Sequence, residues 1–313
     1  MIKVAVIGAG VMGENHIRTY STIPNVELVG ISDISQARVT ALAAKYNTRG
    51  FTSHKELLKL KPDVVSVVTP TLSHRQTALD CFEAGANVLV EKPIANTLDD
   101  ARIMITRAKE LGLKLMVGHI ERFNPATVAL KKAIDEKKIG HVVSISTKRV
   151  GPYNPRIRDV GIIMDLGVHD IDLMHFLLGH KARRVCASAG STIPTAAEDH
   201  ATLMLGFENG YSAVIETNWL TPHKVREITV VGTEGIAEAD LIECSLTLHD
   251  KDWIRSAKVE KAEPLRKELE HFIDCVEHNK QPLISGEDGM AALAVALAAI
   301  ESYNSKNSLP VEY

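Results

Sequence analysis

At 313 residues the chain is long for one hydrophobic core, because single cores stop growing near about 250–300 residues, so two domains are expected. Apolar residues make up 45% and charged residues 24%, with a net charge of −3, the balance of an ordinary globular protein with no basic surface for nucleic acid or an anionic membrane. The four cysteines, Cys81, Cys186, Cys244 and Cys275, form no C-x-x-C pair, which argues against a zinc ribbon or dithiol centre and reads as mostly buried, reduced thiols of a cytoplasmic protein.

Ile2–Ile7 reads as a buried strand and runs directly into Gly8-Ala9-Gly10-Val11-Met12-Gly13. No room is left there for a signal peptide, and the longest apolar stretch, 290–300, is too short to span a bilayer. A helical pattern over 15–20 follows, then an apolar run over 26–31 that ends in Ser32-Asp33. This is strand, glycine turn, helix, strand, acid, with Asp33 lying 20 residues past Gly13. Gly8 permits the tight turn, Gly10 lets the backbone approach a pyrophosphate, and Gly13 lets the helix lie close on the strand. Val11 and Met12 open a helix whose unpaired N–H groups and partial positive charge suit phosphates. Asp33 is placed to accept hydrogen bonds from the adenosine ribose. A carboxylate there repels the 2′-phosphate of NADP, and Ile34 and Ser35 add no positive charge, so NAD is favoured; Arg38 is the one nearby cation.

Alternation continues to about residue 120: a helix over 36–46, a β-branched strand over 64–68 stopped by Thr69-Pro70, and a helix to about 84 with Ser73 as its cap. A strand over 87–90 then ends in Glu91-Lys92-Pro93. A helix over 98–111 follows, capped by Thr97 and closed by Gly112, and then a strand over 114–117. Such alternation predicts a parallel sheet with helices on both faces, whose ligands sit outside the carboxyl ends of the strands. The glycine turn, Thr69-Pro70-Thr71 with His74, Glu91-Lys92-Pro93 and Gly118-His119 all fall there, so Thr69, Pro70, His74, Glu91 and Lys92 are candidate cofactor contacts. The alternative for His74 is a half-exposed histidine at a helix start. Lys92, at the end of a buried strand and before a candidate cis proline, suits acid–base work; the alternative is a surface lysine in a turn.

Past Gly118 the pattern changes. A helix over 125–138 is followed by alternating runs over 142–148, 201–207, 211–218 and 226–231, with turn signals at Glu208-Asn209-Gly210-Tyr211 and 232–235. Helices are expected over 162–178, 265–278 and 287–303. The fold class is therefore α/β: an N-terminal Rossmann parallel sheet over 1–120, then an α+β domain over 121–313 built on a mainly antiparallel sheet, with the boundary near 118–124. Runs 213–215 and 230–231 are apolar on both faces, which predicts a homodimer or homotetramer through this sheet. On the helix over 162–178, Asp165 and His169 stand at i and i+4 and share a face, with Asp172 at i+7 near the same stripe. An acid that orients a histidine is an acid–base pair. The alternatives are a structural ion pair or a metal site, and no third ligand with familiar spacing supports a metal.

The glycine turn, Glu91-Lys92-Pro93 and Asp165-x-x-x-His169, in this order across essentially the whole chain, resemble the glucose–fructose oxidoreductase, inositol dehydrogenase and MocA family. The resemblance implies a Rossmann domain, an α+β domain whose sheet often mediates oligomerisation, and Lys92, Asp165 and His169 meeting around the substrate carbon and the nicotinamide. It also implies an NAD-dependent enzyme that oxidises or reduces a secondary alcohol of a sugar, sugar nucleotide or cyclitol. Residues 118–125 are similar to the segment in members that oxidise the 3-hydroxyl of UDP-N-acetylglucosamine, making Arg122 and Asn124 candidate substrate contacts; for Arg122 the alternative is an ion pair with Glu121. In the loop over 150–158, Arg158 suits a diphosphate and Tyr153 suits stacking on uracil or a sugar; a solvated turn is the alternative. A UDP-sugar is thus the expected substrate. The competing readings are a free-sugar or cyclitol dehydrogenase, a sugar-sensing regulator without turnover, and an amino-acid-linked Rossmann dehydrogenase, which would not explain the Asp-x-x-x-His helix.

Overall fold

The computed structural model describes residues 1–153, 160–193, 197–208 and 210–313. The chain divides into two units, residues 1–120 with 265–290, and residues 121–264 with 291–313.

The first unit is built on a six-stranded parallel sheet of order β3-β2-β1-β4-β5-β6. Its strands are β1 (Ile2–Ile7), β2 (Val26–Ser32), β3 (Gly50–Phe51), β4 (Val64–Val67), β5 (Asn87–Glu91) and β6 (Leu115–Gly118). The connecting helices are α1 (Val11–Tyr20), α2 (Gln36–Lys45), α3 (His54–Leu58), α4 (Thr71–Glu83) and α5 (Leu98–Glu110). The central strands are closed on both faces, as their unbroken apolar runs require: Val4, Val6, Val65, Val67, Val88 and Val90 are fully buried. Thr97 caps α5 by accepting from Asp100 N, and Gly112 follows it at φ 66°. Ser73 is no cap: Pro70 takes that position and α4 starts at Thr71, three residues earlier than expected.

The second unit carries a nine-stranded sheet of order β14-β13-β12-β11-β7-β10-β9-β8-β15. These are β7 (Val142–Pro152), β8 (Ala182–Gly190), β9 (His200–Phe207), β10 (Ser212–Asn218), β11 (Leu220–Gly232), β12 (Ile236–Asp240), β13 (Ser245–His249), β14 (Ile254–Ser256) and β15 (Leu309–Pro310). Every described pairing is antiparallel except β7 with β10. Helices α6 (Pro125–Asp135) and α7 (Val168–Leu178) belong here. The expected single helix over 162–178 divides into a π-helical turn, Ile163–Gly167, and α7.

The expected continuous second domain is interrupted. Helix α8 (Pro264–Glu277) and the start of α9 (Gly286–Ser305) return to the first unit. The amphipathic α8 buries Leu265, Leu269 and Phe272. Beyond it, Val117 N donates to Ile284 O at 3.3 Å and Ser285 bridges Met116, so the returning chain covers the edge of β6. Gly289 lies so close to Val117 that a Cβ would stand 2.5 Å from its Cγ2.

Candidate active site

The glycine turn is held by contacts that leave no room for side chains. A Cβ on Gly8 would lie 2.2 Å from Val68 O, and one on Gly13 would lie 1.9 Å from Gly8 O. Gly8 also needs its φ of 96°. Gly10 differs: a Cβ there would meet no protein atom within 4 Å. Its bare Cα faces open space at the head of α1, which is where a pyrophosphate can approach the backbone.

Around this turn lies a cleft of about 790 Å³, lined among others by Met12, Asp33, Arg38, His54, Thr69 and Gln76. Three aliphatic side chains on its wall are largely exposed: Val11 at 61%, Ile34 at 95% and Leu72 at 79%. Such exposure fits a site that awaits flat apolar surface. Asp33 accepts from Ala9 N at 2.8 Å and Ser35 N at 2.9 Å, and pairs with Arg38 at 3.1 Å. Burial pushes the Asp33 carboxyl up, but these two N–H donors and Arg38 outweigh it and hold the group below its ordinary value. Asp33 is therefore an ionised acceptor beside the turn, and Arg38 is already engaged by it. Thr69 and Pro70 line the same cleft. The residues present fit an adenine dinucleotide.

At the ends of β4 and β5, two of the candidate cofactor contacts are engaged within the protein. His74 is buried, with Nδ1 3.0 Å from Pro93 O and Nε2 2.8 Å from Thr69 O. Burial pushes its pKa below the ordinary histidine value, and a neutral ring can donate to only one of those carbonyls. His74 thus ties the two loop ends together from beneath instead of lining the cleft. Glu91 likewise turns inward: its Oε1 meets the wholly buried His16 at 2.9 Å, and its carboxylate packs close to Gly118, where a Cβ would stand 3.2 Å from it. Burial raises the Glu91 carboxyl, but the bond and attraction of His16, with the charge of Lys92, prevail and keep it low. Lys92 is half-buried next to this clasp, and its bond to Pro93 is cis.

In the second unit, Gly161 lies against the Glu198 carboxylate, which would have to move if a Cβ were added 2.2 Å from it. That carboxylate accepts from Ile163 N at 3.2 Å, and Glu198 O accepts from Ile162 N, which anchors the start of the π-turn. Such turns recur at functional sites. Asp165 and His169 are half-buried, while Ile162, Ile163, Met164 and Val168 around them are buried.

Asp170 and Asp172, the neighbours of His169, do not share its exposure. Arg149 Nε donates to both Asp170 oxygens at 3.1 and 3.0 Å, and its Nη1 donates to Glu121 at 2.8 Å. Arg122 forks onto Asp172 at 2.8 and 2.6 Å and lies over the Phe176 ring. Arg122 and Asn124, the candidate substrate contacts, are thus both engaged by partners within the protein. Both are 5% exposed. Asn124 spends its side chain capping α6 at Ala126 N and donating to Leu241 O and Glu121. The partner of Arg122 is Asp172 and not the adjacent Glu121, a pairing across 50 residues that no local spacing announces. Tyr153 is half-buried with its ring 5.6 Å from that of Trp219. Arg158 lies outside the described residues.

Two family models match the chain: an oxidoreductase family with an NAD-binding Rossmann fold over residues 2–119, and the GFO/IDH/MocA C-terminal domain over residues 127–238. The UDP-N-acetylglucosamine 3-dehydrogenase of Acidithiobacillus ferrooxidans is 30% identical, over 96% of this chain and 98% of its own. Its solved structure superposes with a TM-score of 0.91 at 29% identity, covering 97% of this chain and 98% of that one. The inositol 2-dehydrogenase of Rhizobium meliloti is 29% identical over 99% of both chains. The cradle at Gly10, the ionised Asp33 and the two matched domains agree, and the chain is a dehydrogenase of the GFO/IDH/MocA family with NAD as its cofactor.

Proposed function

We propose that the protein oxidises a secondary alcohol of a sugar, with the 3-hydroxyl of UDP-N-acetylglucosamine or a related UDP-sugar as the substrate to test first. One observation carries the reading. A chain with a cradle for NAD in one unit keeps Asp165, on the π-turn, and His169, at the start of α7, half-buried in the other, while the adjacent Asp170 and Asp172 are paired with arginines. Bound NAD supplies the hydride acceptor, C4 of the nicotinamide. The chain's residues handle the proton. Lys92 or His169 takes it from the hydroxyl, Asp165 orients the His169 ring, and the remaining cation polarises the forming carbonyl.

The UDP-sugar is supported by the relative at 30% identity and not by the arginines, since Arg122 is committed to Asp172. The second reading, a cyclitol such as inositol, is supported by the equally extensive match to an inositol 2-dehydrogenase. Enzyme charged with NAD is mixed with UDP-N-acetylglucosamine, inositol or glucose, and the burst of reduced nicotinamide is recorded. A burst with the UDP-sugar alone is expected; a burst with the polyols alone replaces the substrate but keeps the reaction. Full turnover in both Lys92→Ala and His169→Ala, with NAD still bound, would sink the assignment of roles.

The same reading includes self-association through the open face of the nine-stranded sheet. Met204 and Val214 are register partners there, 59% and 38% exposed, with the exposed Cys186 opposite Met204. A monomeric mass in solution scattering would exclude it.

A further inference from the structure

One charged cluster on the wall of the dinucleotide cleft is used by nothing described so far. Asp80, on α4, accepts from His54 Nε2 at 2.7 Å through one oxygen and from Gln76 Nε2 at 2.9 Å through the other. Lys55 stands 3.7 Å away. Burial raises the Asp80 carboxyl, but the bonds from His54 and Gln76 and the charge of Lys55 outweigh it and hold the group low, so it is ionised and accepts only. This fixes what its two neighbours present. The Gln76 amide must turn its NH2 toward Asp80, leaving Oε1, an acceptor, elsewhere. The neutral His54 ring must carry its proton on Nε2, leaving Nδ1 as an acceptor. Neither remaining atom has a hydrogen-bond partner among the described residues. His54 and Gln76 both line the cleft, on the side where the exposed Ile34 and Leu72 stand.

We propose that the Asp80-organised pair, His54 Nδ1 and Gln76 Oε1, reads the 6-amino group of the adenine ring of the dinucleotide and makes this cleft selective for adenine over 6-oxopurines. Adenine offers two N–H donors at its exocyclic nitrogen, and two acceptors face them. Hypoxanthine carries an oxygen at that position, so acceptor would meet acceptor. A mismatch of this kind costs about 1–3 kcal/mol, or about 5- to 150-fold in affinity. The inference rests on the cleft binding NAD and adds the recognition of its base.

The test compares binding of NAD and nicotinamide hypoxanthine dinucleotide by calorimetry, with no turnover needed. The wild-type protein is expected to bind NAD about tenfold or more tightly than the hypoxanthine analogue. The double variant His54→Phe/Gln76→Leu is expected to bring that ratio near one by weakening NAD alone. Asp80→Asn, which returns a donor to the cluster, is expected to reduce the ratio without removing the fold, as judged by circular dichroism. Equal wild-type affinities for the two dinucleotides overturn the proposal and leave the cofactor site standing. Failure to bind either one removes the cofactor reading itself. A preference for NAD that survives in the double variant assigns the selectivity to other atoms and overturns the proposal as well.

Discussion

The dinucleotide cleft and the arginine cluster around α7 are both rich in polar side chains, yet one is open and the other is closed upon itself. In the cleft, the bonds that organise the wall, such as Ser35 N to Asp33 and Gln76 to Asp80, border a cavity onto which the bare backbone of Gly10 opens. Around α7, Arg122 and Arg149 meet carboxylates delivered by other segments of the chain, and both guanidinium groups are buried in those pairs. An arginine near a candidate site is therefore not evidence of a ligand until the carboxylates that could reach it are accounted for.

The largest expected effect breaks the closed region. Arg149→Met strands Asp170 in a buried setting, leaves Glu121 with Arg226 alone, and should cost about 3–5 kcal/mol in urea denaturation. A loss under 1 kcal/mol would mean that the cluster is wetter than its burial indicates. Next comes the open region. Gly10→Ala should leave the denaturation midpoint nearly unchanged, because no protein atom lies within 4 Å of the added carbon. The same methyl occupies the phosphate approach, so NAD should bind at least about tenfold more weakly in titration calorimetry. Gly13→Ala sharpens the contrast, since its Cβ collides with Gly8 O at 1.9 Å and should lower stability and NAD binding together.

The smallest effect is a pH dependence. Burial raises the Glu121 carboxyl, but Arg149 and Arg226, with bonds from Arg149 and Asn124, keep its folded value below the ordinary 4.5. A depressed folded value contributes stability that is fully present above about pH 4.5 and is lost as pH falls through the lower folded value. Wild-type melting should therefore decline on the acid side of that value. Glu121→Gln should melt lower at neutral pH, with a shallower acid limb. Parallel acid limbs in the two proteins would remove Glu121 as the cause.

What could be read from the sequence follows the same division. The glycine turn, Asp33 and the Thr97 cap are specified by residue type with spacing along the chain. The strands β8, β12, β13 and β14 alternate with many polar residues and take their pairing from partners that local pattern does not name. The π-turn escaped because one extra residue per turn leaves apolar periodicity almost intact. His74 and Glu91 were placed at the right edge of the right sheet, but which way each side chain turned depended on Pro93 O and on His16. Arg122 could have been doubted on its own evidence: Asp170 and Asp172, in so apolar a segment, needed cations from somewhere.

The return of residues 265–290 to the first unit has a consequence for synthesis. As the chain leaves the ribosome, β6 emerges with its outer edge bare and stays so until Ser285 arrives, with most of the second unit made in between. An N-terminal domain would ordinarily be free to fold first. Here it must wait for nearly the last helix, holding an open strand edge that a neighbouring nascent chain could pair with.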